Sequence, residues 1–192
     1  MGGIVLSGGK SRRMGVDKAL LPYNGITLLE HVLGIVRAAA GETIVVADVA
    51  DKYVLKAGTR VVGDLYPDTG PLGGIITGLT YAADEFNLVV ACDMPFLQPA
   101  LLKRLIEAVE GYDAAVPEIN GRLEPLCAAY NKRATEKLWV MLESGELAVH
   151  KAVCTLNIVR IGEEELRCFD PELVSFSNWN TPDDAGIYKP GS

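Results

Sequence analysis

The sequence predicts an α/β protein of Rossmann-like, three-layer type, with a mainly parallel sheet and helices on both faces. Three observations carry that prediction. Short apolar runs rich in β-branched residues alternate with longer amphipathic segments. The runs are continuously apolar, as strands covered on both faces are. Their β-α-β-α order calls for crossover helices, which join parallel strands.

The elements follow in order. Ile4-Val5-Leu6 reads as a first buried strand. Thr27 to Ala40 reads as a helix, because Leu28, Leu29, Val32, Ile35 and Val36 recur at helical spacing. Thr43 to Ala47 is a second strand, ending at Asp48, and Arg60 to Val62 a third, ending in Gly63-Asp64. Leu72 to Ala83 is helical. Leu88 to Ala91 is a buried strand ending at Cys92-Asp93. Pro99 to Val109 is a helix, with proline acceptable in its first turn. The second half is less regular. Ala114 to Val116, Leu126 to Tyr130 and Leu156 to Ile161 suggest strands, and Lys132 to Leu142 a helix. No linker or repeat divides the 192 residues, which read as a single domain, 1–192.

Composition narrows the function. Hydrophobic residues make up 49% and charged residues 22%, the balance of a globular protein. A net charge of -7 argues against a broad nucleic-acid surface. No apolar run reaches the roughly 20 residues that span a bilayer, and the opening segment has no basic n-region. Leu6 stands where myristoylation requires Ser or Thr. The expected setting is therefore the cytoplasm. Cys92, Cys127, Cys154 and Cys168 form no C-x-x-C pair, and reduced, mostly buried thiols are expected.

In open parallel sheets, ligands bind beyond the carboxyl ends of the strands. Ser7-Gly8-Gly9, Asp48, Asp64 and Asp93 all fall there, so four strand ends point at one crevice. Glycines after a strand let backbone N–H groups approach a ligand, and Lys10, Arg12, Arg13 and Lys18 follow closely. Such clustered donors suit a triphosphate. A tight turn with a solvated basic stretch is the alternative. The loop is not a P-loop, since Ile4 holds the place of that motif's first glycine, and G-x-G-x-x-G is absent. Gly70-Pro71-Leu72-Gly73-Gly74 opens a later helix, where small residues admit a base or a phosphate. Asp93 offers a carboxylate suited to Mg²⁺, although an aspartate at a strand end also serves as a turn former.

Leu6-Ser7-Gly8-Gly9-x-Ser11-x-Arg13-Met14-Gly15-x-Asp17-Lys18 resembles the signature of the molybdenum cofactor guanylyltransferases, a group within the sugar-nucleotide-type nucleotidyltransferases. The signature usually reads Leu-Ala-Gly-Gly, so Ser7 is a departure. Gly70 to Gly74 matches the guanylate version of the second loop, and Cys92-Asp93-Met94-Pro95-Phe96 matches a third motif. The resemblance implies that Leu6, Ser7, Gly8, Gly9, Lys18, Asp48, Asp64, Gly70, Pro71, Leu72, Gly73 and Asp93 meet GTP. It assigns Mg²⁺ to Asp93 and catalysis to Lys18, Arg13 and Asp93. Cys92 reads as a packed residue rather than a nucleophile.

Residues 1–96 then form a nucleotide-binding half and 97–192 an acceptor-binding half. In the latter, Leu123 to Tyr130 resembles a strand beside the acceptor site, and Asn178-Trp179-Asn180-Thr181-Pro182 resembles a terminal motif. Helix capping accounts for Thr181 and Pro182 but not for Asn178 and Asn180, whose amides suit a pterin. Gly145 to Lys151 offers only His150 and Lys151 where the family is more basic. The match is therefore strong to Phe96 and looser after it. The implied reaction moves GMP from GTP to the terminal phosphate of molybdopterin. Alternatives are a cobinamide phosphate or sugar phosphate acceptor, or a GTP-binding regulator without catalysis. The oxygen sensitivity of molybdopterin leaves room for a partner protein that delivers it.

Overall fold

The structure is a computed structural model that describes residues 1–8, 17–55 and 59–179. In chain order its elements are β1 (Gly2–Ser7), β2 (Pro22–Tyr23), β3 (Ile26–Thr27), α1 (Leu28–Ala40), β4 (Thr43–Ala47), β5 (Arg60–Gly63) and α2 (Pro71–Tyr81). There follow β6 (Phe86–Ala91), α3 (Pro99–Ala108), β7 (Ala114–Ile119), β8 (Arg122–Leu123), β9 (Cys127–Asn131), α4 (Ala134–Glu143), α5 (Val149–Val153), β10 (Ile158–Gly162) and α6 (Glu163–Leu166).

The main sheet has the order β10-β7-β9-β6-β1-β4-β5, with β8 pairing with β7, while β2 and β3 form a separate hairpin. β1 runs parallel to both β4 and β6, and β4 runs parallel to β5. β9 is antiparallel to β6 and β7, whereas β10 is parallel to β7. Both halves of the chain therefore share one sheet.

Alternation along each strand builds two cores. Val5, Val45, Val61 and Val90 face one cluster with α1 and α3. Ile4, Leu6, Ile44, Val46, Val62 and Val89 face the other with α2, α4 and α5. This is the expected three-layer arrangement. Thr27, read from the sequence as the first helical residue, instead caps α1. Its hydroxyl accepts from the Glu30 amide while Glu30 accepts from the Thr27 amide, a reciprocal box worth about 1 kcal/mol.

Two corrections concern small features. The cysteines are not mostly buried: Cys127 is buried and Cys92 partly so, but Cys154 and Cys168 are exposed. Cys154 follows α5 directly and Cys168 lies two residues past the end of α6, where the chain turns along the surface. The irregular second half also holds elements that the sequence reading lacks, namely β8, α5 and α6.

Asp113 joins three strands at the end of the sheet away from the β6 carboxyl terminus. Its carboxylate accepts from Arg133 at 2.8 Å, from Lys137 at 2.6 Å and from the Asn157 amide at 2.9 Å. Burial alone would raise this carboxyl. The Lys137, Asn157 and Arg133 hydrogen bonds outweigh it and hold the group below its ordinary value. Stability from Asp113 is therefore present above its unfolded pKa and is lost as pH falls through the lowered folded value. Asp113→Asn should cost about 2 kcal/mol in urea unfolding at neutral pH, and the difference should shrink in acid. That figure is below the usual cost of breaking a buried pair because both cations are half exposed.

Candidate active site

The four strand ends singled out in the sequence do share one edge. Ser7 pairs with Ala47, Ala47 with Gly63, and Leu6 with Ala91. The ladder continues one step past the strands: the Asp64 amide donates to the Ala47 carbonyl at 2.7 Å, and the Cys92 amide to the Leu6 carbonyl at 3.0 Å. From β1 the chain moves outward through β4 and β5, then returns to place β6 on the other side of β1. That reversal is the topological switch point, where such sheets open a crevice.

Lys18 and Asp93 meet there. The Lys18 ammonium lies 3.5 Å from an Asp93 carboxylate oxygen, and each side chain is about a quarter exposed, at 23% and 24%. Lys18 begins a 3-10 turn, Lys18–Leu20, capped by Asp17, whose carboxylate accepts from the Ala19 amide at 3.1 Å. A mostly buried cation beside a carboxylate at a switch point suits a metal ion and a phosphate together: the carboxylate offers a hard oxygen, the ammonium a compensating charge.

The remaining candidates take different places. Gly8 is exposed, and a side chain there would stand 4.0 Å from the Asp48 amide. The Asp48 side chain is 61% exposed and lies 2.7 Å from Lys52. The Lys52 hydrogen bond holds its carboxyl below the ordinary value, keeping it an acceptor. Asp64 ties β5 to α2, accepting from Thr77 Oγ1 at 2.8 Å and from the Tyr66 amide at 3.0 Å. Leu6 and Leu72 are buried in the core around α2, so either would reach a ligand through backbone alone. Ser7 is also buried, its hydroxyl 2.8 Å from that of Tyr53. Gly9, Arg13 and Asn180 lie outside the described residues.

Gly70 and Pro71 make the second loop a helix start. Gly70 takes a positive φ of 70°, and Pro71 occupies the first turn of α2. Gly73 has a packing reason of its own. A side chain there would collide with Thr69 Oγ1 and stand 2.8 Å from the Tyr66 carbonyl oxygen. Gly73→Ala should therefore lower stability by about 1–3 kcal/mol, read as a fall in the denaturation midpoint.

The segments expected on the acceptor side lie beside Asp93. The Leu126 carbonyl accepts from the Ala91 amide at 3.0 Å, two residues before Asp93. The Trp179 amide donates to the Asp93 carbonyl at 2.8 Å, and its buried ring meets Tyr23 edge-on at 5.2 Å. Asn178 is thereby held next to the Asp93 turn. In the weakly matched segment, Lys151 pairs with Glu146 at 3.1 Å, and Glu146 also accepts from the Ala148 amide. These contacts make it the entry to α5. Burial pushes the Cys92 thiol up to about 12, which leaves it a packed, protonated residue. Sequence reasoning missed Lys52, Tyr53 and Trp179 as parts of this region. Trp179 sat inside a quoted motif, but Lys52 and Tyr53 carried no pattern.

A mainly parallel sheet that presents a lysine–aspartate pair at its switch point, flanked by glycine loops, is built as a nucleotidyltransferase. The model of the MobA-like NTP transferase domain matches residues 3–153. The chain belongs to that family. It is 39% identical over 182 residues to a probable molybdenum cofactor guanylyltransferase of Pelotomaculum thermopropionicum, covering 95% of this chain and 88% of that one. It is 36% identical over 184 residues to the molybdenum cofactor guanylyltransferase of Desulfosudis oleivorans, covering 95% and 91%. The crystal structure of molybdopterin-guanine dinucleotide biosynthesis protein A from Archaeoglobus fulgidus superimposes with a TM-score of 0.84 at 33% identity, covering 97% of this chain and 96% of that one.

Proposed function

We propose that this enzyme transfers GMP from GTP to the terminal phosphate of molybdopterin or its molybdenum-loaded form, releasing pyrophosphate and leaving the guanine dinucleotide cofactor. The meeting of Lys18 and Asp93 at the switch point, 3.5 Å apart, carries the reading. The relatives' shared activity supports the choice of base and acceptor.

A phosphate dianion is already nucleophilic, so the reaction needs positioning and charge stabilisation rather than a strong base. Asp93 would hold Mg²⁺, which when bound neutralises the triphosphate. Lys18, with Arg13, would offset charge gathering on the α-phosphate and the leaving pyrophosphate. Backbone amides from Ser7 to Gly9 and the start of α2 would hold the nucleotide, with Asp48 and Asp64 as further contacts. Asn178 and Asn180 would meet the pterin. Residues 1–96 thus supply the nucleotide side and 97–192 the acceptor side of a single domain. None of the described helices is long and apolar enough to cross a membrane. The setting proposed for the reaction is the cytoplasm. A delivery protein for the acceptor fits this scheme.

The test measures pyrophosphate release with GTP, CTP and ATP, each with and without molybdopterin and with Mg²⁺ present or chelated. Release that requires GTP, molybdopterin and Mg²⁺ supports the proposal. Release with CTP, or only with cobinamide phosphate or a sugar phosphate, overturns the base or acceptor assignment. Tight GTP binding without release under any acceptor marks a regulator.

A further inference from the structure

The segment after β4 reaches back to both flanks of the glycine-rich loop. Ser7 closes β1 before that loop, and Asp17 ends it, directly before Lys18. The Tyr53 hydroxyl lies 2.8 Å from Ser7 Oγ and 2.9 Å from Asp17 Oδ2. A carboxylate accepts only, so Tyr53 donates to Asp17, and its oxygen is left to accept from the Ser7 hydroxyl. The bonds thus run in one direction, from Ser7 through Tyr53 to Asp17. Tyr53 is 6% exposed and packed in the core with α1, and burial pushes its phenol up to about 12. It therefore remains a donor throughout the neutral range.

Lys52 adds a second strap. Its ammonium lies 2.9 Å from Asp17 Oδ2 and 2.7 Å from Asp48 Oδ1. Burial would lower this amine, but the hydrogen bonds to Asp48 and Asp17 outweigh that and raise it, so it stays charged. Asp17 then holds three donors: the Ala19 amide, Tyr53 and Lys52. Asp17 in turn caps the turn that begins with Lys18.

We propose that Tyr53 is a positioning residue for transfer: by joining Ser7 to Asp17 it staples the two ends of the glycine-rich loop and fixes where Lys18 stands relative to Asp93. Lys52 extends the staple to Asp48 at the next strand end. The catalytic part rests on the reading of Lys18 given above; the staple itself does not. The geometry explains why an oxygen at Ser7 is useful in this chain. It also explains why a tyrosine hydroxyl is buried at that depth, since the ring packs while the oxygen serves two partners.

Tyr53→Phe keeps the ring and removes only the bridge. The expected result is a kcat for pyrophosphate release about 10-fold lower, with the KM for GTP changed less than about threefold, since Lys18 acts on charge that develops in transfer. In the nucleotide-free protein, amide hydrogen exchange at Ala19, Leu20 and Leu21 should quicken about 10-fold as the capped turn loosens. Lys52→Met should shift both readings in the same direction by a smaller factor, and it serves if Tyr53→Phe fails to fold. An unchanged kcat overturns the positioning role, whatever exchange does. Unchanged exchange overturns the staple. If the wild-type enzyme releases no pyrophosphate with GTP and molybdopterin, the functional reading fails on its own, and the exchange arm still decides the staple.

Discussion

Asp93→Asn is expected to reduce GTP-dependent pyrophosphate release by about 10²–10³-fold, the usual cost of deleting one group that stabilises transition-state charge. The asparagine keeps the shape of the turn, and the Asp93 main-chain carbonyl still accepts from Trp179. It removes the negative oxygen facing Lys18. Because that ion pair is partly exposed, its own contribution to stability is at most about 1 kcal/mol, and the melting temperature should fall by only a few degrees. Raising Mg²⁺ should recover part of the rate if the carboxylate holds the ion. A variant with more than about a tenth of wild-type turnover removes Asp93 from the mechanism.

Lys18→Ala should cost a similar factor, about 10²–10³ in kcat, for a different reason. Truncation takes away the positive charge that a phosphate crossing the Asp93 turn would meet, and leaves the Asp93 carboxylate without its cation. Extra Mg²⁺ should not restore this variant, which distinguishes it from Asp93→Asn. Lys18→Arg should retain the charge but not the compact point-donor geometry, and so recover only part of the rate. Circular dichroism and thermal melts should remain close to wild type, since the capped turn depends on Asp17 and main-chain bonds rather than on the lysine head group. Near-normal turnover in Lys18→Ala would remove the lysine from the site.

The parallel part of the sheet was legible because its signals are local. Thr43 to Ala47 is a run of β-branched and small apolar residues, and the strand has those same bounds. Leu88 to Ala91 is likewise continuously apolar, and the strand that holds it stops at the Cys92-Asp93 turn. Their carboxyl ends fall on one edge because parallel order dictates it. Leu72 shows the limit of motif transfer: it stands in a matching loop, yet its side chain belongs to the core. Gly73 is demanded by the Thr69 and Tyr66 contacts, which nothing in a linear motif announces.

The rest was hidden by length and by distance along the chain. α5 has five residues and α6 four, too few for a helical period to register. β8 is two residues that exist as strand only because β7 lies alongside. Tyr53 lies in an irregular stretch and finds its partners 46 and 36 residues away. No spacing rule encodes such a meeting. It depends on β4 delivering the chain to the same edge at which β1 ends.

The place of β9 has a consequence for synthesis. It sits between β6 and β7 although it follows both in sequence. When the ribosome has released β1, β4, β5 and β6, the parallel part of the sheet can assemble, but the outer edge of β6 still has no strand beside it. Its partner, Cys127–Asn131, arrives a few seconds later, at roughly 5–20 residues per second. During that interval a row of apolar residues, Leu88 to Val90, borders an unpaired edge of the kind that recruits foreign strands. The nascent chain is thus most exposed to mispairing before β9 emerges, and completing β9 both shields that edge and brings the Leu126 carbonyl beside the Asp93 turn.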